Sequence, residues 1–310
     1  MRFMTAAPAL VLLSACALFG GHRTTPRGDL PVAGLPAPDV ATAEAVEVYR
    51  DAGLIVSDQR FPFVGVVHSF AGHTADSTLT LVALSFANQT LAFSADGRTR
   101  HARYDVVLEA RQEKHVLVRT ANRETVQVDS PGEALQADAR IVFQRYLLLP
   151  PGDATLLIDI RDANGGNAAT VRTRLTVPRL GGRTLAPPVI AYRVEPRTQR
   201  DSLPRLVVNP RDAIHAEHDS AATIYVEGDG LRTGTRGLAT VLDENARIVR
   251  RDTALLTGSI VLGSATFHVP LASLGAGRFT VTAVVPGLPD TVRTPLLVQV
   301  ASEAGTPSAP

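Results

Sequence analysis

Residues 149–177, LPPGDATLLIDIRDANGGNAATVRTRLTV, read as a β-hairpin, and the pattern returns at 274–298 as LGAGRFTVTAVVPGLPDTVRTPLLV. Leu149, Gly152, Ala154, Thr155 and Leu156 align with Leu274, Gly277, Phe279, Thr280 and Val281 at a constant separation of 125 positions. After a turn four residues shorter in the second copy, Val171, Arg172, Thr173, Leu175 and Val177 align with Val292, Arg293, Thr294, Leu296 and Val298. Leu156, Ile158 and Ile160 alternate with Asp159 and Arg161, and Val171, Thr173, Leu175 and Val177 alternate with Arg172 and Arg174. A period of two puts one face in a core and the other in water. A repeated hairpin implies two domains of one fold.

Outward from the hairpin, short apolar runs recur at the spacing of an all-β chain. The first half predicts strands over Phe61–Phe70, Thr78–Phe86, Thr90–Ser94, Arg100–Arg111, His115–Thr120, Thr125–Val128 and Ile141–Leu148. In ARYDVVLEAR, Tyr104, Val106, Leu108 and Ala110 share one face, and Arg103, Asp105, Glu109 and Arg111 the other. Ala95-Asp96-Gly97 carries an Asp-Gly turn signal, so the third and fourth strands form a hairpin. The second half predicts Val189–Val194, Leu206–Val208, Ala222–Glu227, Leu238–Leu242, Arg247–Asp252 and Ser259–Val269 before its hairpin. Pro295, in an outward slot, marks an edge position. EAVEVYRDAG, 44–53, reads either as a turn or two of helix or as the lead into the first strand. The expected organisation is a signal peptide over 1–15, a Pro/Gly-rich tether over 16–43, β-domains over 44–178 and 189–301 joined by a linker at 179–188, and a disordered tail over 302–310.

The chain of 310 residues, 45% of them hydrophobic, has length for two cores. Its formal charge is +1, Lys114 is the sole lysine, and the arginines are scattered singly, so no nucleic-acid partner is expected. The N-terminus has Arg2, an apolar run from Ala6 to Leu13, then Ser14-Ala15-Cys16. That is an export signal, too short for a permanent span. Leu13-Ser14-Ala15-Cys16 resembles the lipobox of bacterial lipoproteins, which implies cleavage before Cys16 and a lipid on its thiol. Cys16 is the chain's only cysteine and has no intramolecular disulfide partner. Ala15-Cys16-Ala17 equally fits an ordinary cleavage site that releases a soluble protein. By family analogy, Ala17 favours the outer membrane. Pro26, Pro31, Pro36 and Pro38 stiffen the tether that follows.

The pattern L-x-x-G-x-aromatic-T-hydrophobic-x-hydrophobic is similar to the E–F corner and F strand of immunoglobulin-like and fibronectin type III domains. The fold implied is two tandem immunoglobulin-like β-sandwiches. The aromatic position holds Ala154 in one copy and Phe279 in the other, so neither makes a tyrosine-corner bond. TLTLVALSFANQTLAFSADGRTRHARYDVVLEARQ, then LPPGDATLLIDIRDANGG and LTVPR, resembles the N-terminal region of the bacterial family named for a GWxTD motif. The chain has no tryptophan, so that motif is absent, and the family carries no activity or site residues across.

Catalytic signatures are missing: there is no G-x-S-x-G, no phosphate-cradling glycine loop, no H-E-x-x-H and no C-x-x-C. His215 and His218 have H-x-x-H spacing with Asp212, Glu217 and Asp219 nearby, a weak metal-ligand pattern with no third ligand apparent. His68 and His73 have less support. Asp162-Ala163-Asn164-Gly165-Gly166-Asn167 begins like a calcium loop but reverses the order of ligand and glycine, and reads better as a hairpin turn. Arg27-Gly28-Asp29 is an adhesion tripeptide short enough to arise by chance. Asn88-Gln89-Thr90 is a sequon in form and a strand-end turn by context. Aromatics at 5% and the lack of tryptophan leave a sugar platform unsupported. No cofactor is expected. The sequence therefore predicts a non-enzymatic envelope lipoprotein, a surface binding or adaptor module with a protein partner, lipid-anchored in the outer membrane and facing the periplasm or the cell surface. Two alternatives stand beside it: a hydrolase or metal enzyme with a site near the domain junction, and a surface adhesion or structural module.

Overall fold

The computed structural model describes residues 43–96, 99–128, 140–197, 199–216, 219–258, 262–288 and 291–299. Cys16, the tether, His218 and the C-terminal tail lie outside them. EAVEVYRDAG resolves as helix α1, Ala43–Asp51. Val46 and Tyr49, three apart, share its buried face. The helix ends where Leu54 N–H reaches the Tyr49 carbonyl and Gly53 N–H the Arg50 carbonyl, with Gly53 at φ +81°. These are the paired bonds of a Schellman stop, which requires a left-handed residue at that glycine.

The first sandwich has a sheet of order β1-β2-β3-β7, formed by Ile55–Ser57, Phe63–Ala71, Thr78–Ala87 and Arg140–Leu149. The facing sheet centres on β5, Thr99–Gln112. One edge of β5 pairs with β6, His115–Val128, and the other with β4, Ser94–Asp96, and β8, Gly152–Asp162. β9, Ala168–Val177, lies beyond β8. Two expectations change here. Asn88–Thr90 is a 3-10 turn, and the strand expected over 90–94 falls instead at Ser94–Asp96, sharing only Ser94, with Asp96 opposite Thr99. The two short strands expected over 115–128 are one strand of fourteen residues.

The second sandwich repeats this with an addition. β10 (Val189–Glu195), β13 (Ala221–Asp229) and β17 (Leu262–Pro270) form one sheet, flanked by β11 (Arg205–Val208) and β16 (Thr257–Gly258). The other runs β12-β19-β18-β14-β15 from Ala213–His215, Thr291–Gln299, Gly277–Val284, Arg236–Leu242 and Ile248–Leu255. In immunoglobulin lettering both sandwiches set A-B-E against G-F-C-C′, with β2, β3, β5, β6, β7, β8 and β9 matching β10, β13, β14, β15, β17, β18 and β19 in the order A, B, C, C′, E, F, G. The chain is all-β, two tandem β-sandwiches with immunoglobulin-like strand order. The repeated hairpin is strands F and G of each. Its register is kept: Leu156 opposes Thr173 where Val281 opposes Thr294, and Ala154 opposes Leu175 where Phe279 opposes Leu296. Gly152 and Gly277 open strand F at φ +131° and +156°, which explains why both copies hold glycine there.

Each sandwich has its own core. Phe61, Phe86, Tyr104 and Phe143 meet edge-on in the first, centroids 4.9 to 6.5 Å apart. Ile224, Val241, Phe267, Val281 and Leu296 fill the second. A third apolar layer lies between the two A-B-E sheets. Val64, Val66, Phe70, Leu79, Leu81 and Ala83 face Val189, Leu206, Val208 and Tyr225 there, and Val46 and Tyr49 of α1 join them. β3 is consequently buried at every residue, with Val82, Leu84 and Phe86 in one core and Leu79, Leu81 and Ala83 in the other. The connecting stretch is docked as well: Leu180, Leu185 and Ala186 are buried, Ala186 N–H bonds Glu227 O, and Asp229 N–H bonds Thr184 O. Four sheets thus stack in series, leaving the two G-F-C-C′ sheets as the outer faces.

Candidate functional site

The outward positions of the first G-F-C-C′ sheet form a charged, grooved face. Register fixes its rows: Arg119, Glu109, Leu157 and Arg172 lie side by side on C′, C, F and G, then Ala121, Val107, Asp159 and Thr170, then Arg123, Asp105, Arg161 and Ala168. Asp105, Val107, Glu109, Arg119, Leu157, Asp159 and Arg161 line a shallow groove of about 320 Å³. Arg123 grips Asp105 with two bonds, Nε to Oδ1 at 2.7 Å and Nη2 to Oδ2 at 3.0 Å. That fork holds the Asp105 carboxyl below its usual range. Glu109 accepts from Arg111 and lies 3.5 Å from Arg119, and the Arg111 hydrogen bond lowers its pKa first of all. Asp159 accepts from Thr170 Oγ1 at 3.2 Å and has no arginine in ion-pair range among the described residues. The groove floor is therefore apolar at Val107 and Leu157 with one acid free of a cation, walled by Arg119, beside Glu109, and by Arg161, which has no ion pair among the described residues. Such a surface is able to discriminate by shape and charge.

The layer between the sandwiches holds a polar network. Arg197 and Glu227 are almost wholly buried. All five guanidinium donors are used: Nε and Nη2 to the two Glu227 oxygens at 3.0 and 2.6 Å, Nη1 to the carbonyls of Arg200 and Ser202, and Nη2 to Ala71 O at 2.5 Å. Tyr225 Oη donates to the remaining capacity of Glu227 Oε2 at 2.8 Å. Ala71 belongs to the first sandwich and Glu227 to the second, so the pair is a fastener between them. A second buried group sits beside β12. Arg211 Nη1 donates to Tyr49 Oη at 3.1 Å with its guanidinium over the ring, while Nε and Nη2 lack partners. Asp212 is 2% exposed, left-handed at φ +47°, and its Oδ1 has no partner; burial pushes its carboxyl up to about 8.

The sequence-derived candidates fall as follows. His215 ends β12 beside Gln299, and His218 is outside the described residues. Among the described residues no three His, Cys, Asp or Glu side chains converge for a metal. His68 is buried between the sandwiches with Nε2 unpartnered and its pKa lowered to about 4 by burial. The 162–167 turn is tied down: the Asp162 carboxylate accepts the N–H groups of Ala92, Asn164 and Gly165, and Asn164 and Asn167 donate to the carbonyls of Ala92 and Thr90. Its acid is spent on structure. Sequence reasoning placed Asp105 and Glu109 outward but missed their partners, because splitting C′ in two hid the register that sets Arg123 and Arg119 opposite them.

No protein-family model and no curated protein matches the chain. Among solved structures it is similar to a biofilm-associated protein BSP domain (11% identity, TM-score 0.23, 82% of this chain and 54% of that one). It is also similar to dimeric latent PorU from Porphyromonas gingivalis (13%, 0.33, 79% and 21%) and to a Bifidobacterium dentium β-glucuronidase complexed with coumarin-3-O-glucuronide (13%, 0.25, 71% and 39%). The chain spans about half or less of each. Likenesses at these scores carry no function across.

Proposed function

We propose that the protein is a non-enzymatic binding module of the bacterial envelope, carried on a lipid at Cys16, whose recognition surface is the G-F-C-C′ face of the first sandwich. The observation behind it is the groove around Val107, Leu157 and Asp159, where Arg119 and Arg161 rim an apolar floor beside a carboxylate with no cation in ion-pair range among the described residues. The ligand it suits is a protein segment offering an apolar side chain beside a basic one for Asp159. No described helix is long and apolar enough to cross a membrane; attachment in this reading is through the lipid on Cys16.

A photo-crosslinking residue placed at Leu157 in cells should yield a discrete adduct, lost when Asp159→Arg is added, while the same probe at Arg251 of the second sandwich yields none. Equal labelling at both positions, or none at Leu157, would remove the groove from consideration.

A further inference from the structure

Three outer strand edges are closed by side chains. Gln59 Nε2 donates to Thr170 O at 2.9 Å and its Oε1 accepts Thr170 N–H at 3.1 Å, capping β9. Gln144 does the same to β11, donating to Leu206 O and accepting Val208 N–H. Asp252 Oδ2 accepts His268 N–H at 3.2 Å on β17. β6 is different. It runs fourteen residues without proline, bonded to β5 along one edge, and among the described residues nothing bonds the other. A long open edge of this kind is a template for another strand.

We propose that β6 pairs with β6 of a second copy of this chain, antiparallel, about a two-fold axis at Asn122. The strand's own sequence selects that occupant and register. With Asn122 opposite itself, Val118 meets Val126 and Thr120 meets Glu124 on one surface, while Ala121 meets Arg123 and Arg119 meets Thr125 on the other; the matched stretch ends at the bulge where Leu117 is inserted between the partners of Ala110 and Arg111. No like charges are directly opposed, and Val118 and Val126, both packed at the margin of the core, gain an apolar neighbour each. The two neighbouring registers that keep each face with its like fail. An axis at Ala121 sets Arg119 against Arg123, and one at Arg123 sets that residue against itself. Arg119 and Arg123 keep their acids, Glu109 and Asp105, which lie within the same sheet. Pairing is self-complementary, as a two-fold interface requires, and it joins two G-F-C-C′ sheets into one continuous surface. This goes beyond the binding role proposed above and stands without it.

The test uses the full chain with Cys16→Ser, leaving an introduced thiol as the only one. Directly opposed residues of antiparallel strands stand about 4.5–5.5 Å apart at Cα, within disulfide reach. Asn122→Cys should therefore oxidise to a covalent dimer. Thr125→Cys should not, because its copies lie six positions apart along the strands, about 20 Å. Light scattering should give twice the chain mass, and Thr125→Arg, which opposes Arg119 at two symmetric places, should weaken dimerisation about tenfold. A monomeric mass at micromolar concentration, equal cross-linking at 122 and 125, or capture of a different protein by the thiol at 122 would each overturn the proposal.

Discussion

Asp212→Asn should flatten the pH dependence of stability above pH 6.5. In the fold Asp212 is buried with Oδ1 unpartnered, and its carboxyl titrates at about 8. Unfolded, it titrates near 3.9. Its folded pKa is raised, so its contribution is most favourable below the unfolded value and is lost as pH rises through the folded one. Buried His68 works the other way: its folded pKa is lowered to about 4 against about 6.5 unfolded, so its contribution is present above 6.5 and lost as pH falls. From pH 4 to 6.5 the folded state holds one extra proton on Asp212 and the unfolded state one on His68, so the slopes cancel. Above 6.5 only Asp212 remains, and stability should fall by about 1.4 kcal/mol per pH unit, about 2 kcal/mol by pH 8. Urea denaturation across pH 4.5–8.5 reads this directly. His68→Leu should unmask the cancelled slope, giving a gain of about 3 kcal/mol from pH 6.5 down to 4. If the wild-type profile rises or stays level from 6.5 to 8, or keeps its slope in Asp212→Asn, the reasoning fails.

Glu227→Gln strips the only acid from buried Arg197 and should cost about 3–5 kcal/mol in chemical denaturation, whereas Tyr225→Phe, removing one neutral donor, should cost about 1 kcal/mol. Gly152→Ala and Gly277→Ala should each lose about 1–3 kcal/mol although nothing lies closer than 3.7 Å to either added methyl, because the strain is in φ. Metabolic labelling with a fatty-acid analogue should mark the wild type and not Cys16→Ser; an unlabelled wild type released as soluble protein would end the anchor reading.

The F–G hairpins were readable because alternation, a turn and a glycine at strand F all lie within thirty residues. The stacking of the sandwiches was not, since it depends on faces that pair across the whole chain. TLTLVALSFA in β3 looked like an ordinary strand, yet its two apolar sets serve two cores. Arg197 looked like one more scattered arginine, and only the fold brings Glu227 and the Ala71 carbonyl to it. The charged face was half legible. A turn at Glu113, φ +52°, sends C′ back along C, and the opposition of Asp105 to Arg123 and Glu109 to Arg119 follows.

Stacking the A-B-E sheets also changes where the two copies can differ in function. Their inner surfaces are committed to cores, so divergence is displayed on the outer sheets. At matched positions the first sandwich carries the row Arg119, Glu109, Leu157, Arg172, and the second carries Arg251, Thr240, Thr282, Arg293. The outer arginines are common to both. Between them an acid and a leucine stand in one copy and two threonines in the other, with Thr282 Oγ1 donating to the Thr240 carbonyl rather than facing a ligand. Only the first row pairs charge across strands beside an apolar floor. The long Asn-Gly turn, by contrast, spends its side chains on the 90–92 segment. On the proposed binding role, the difference between the copies that bears on recognition therefore lies in the middle of the sheet.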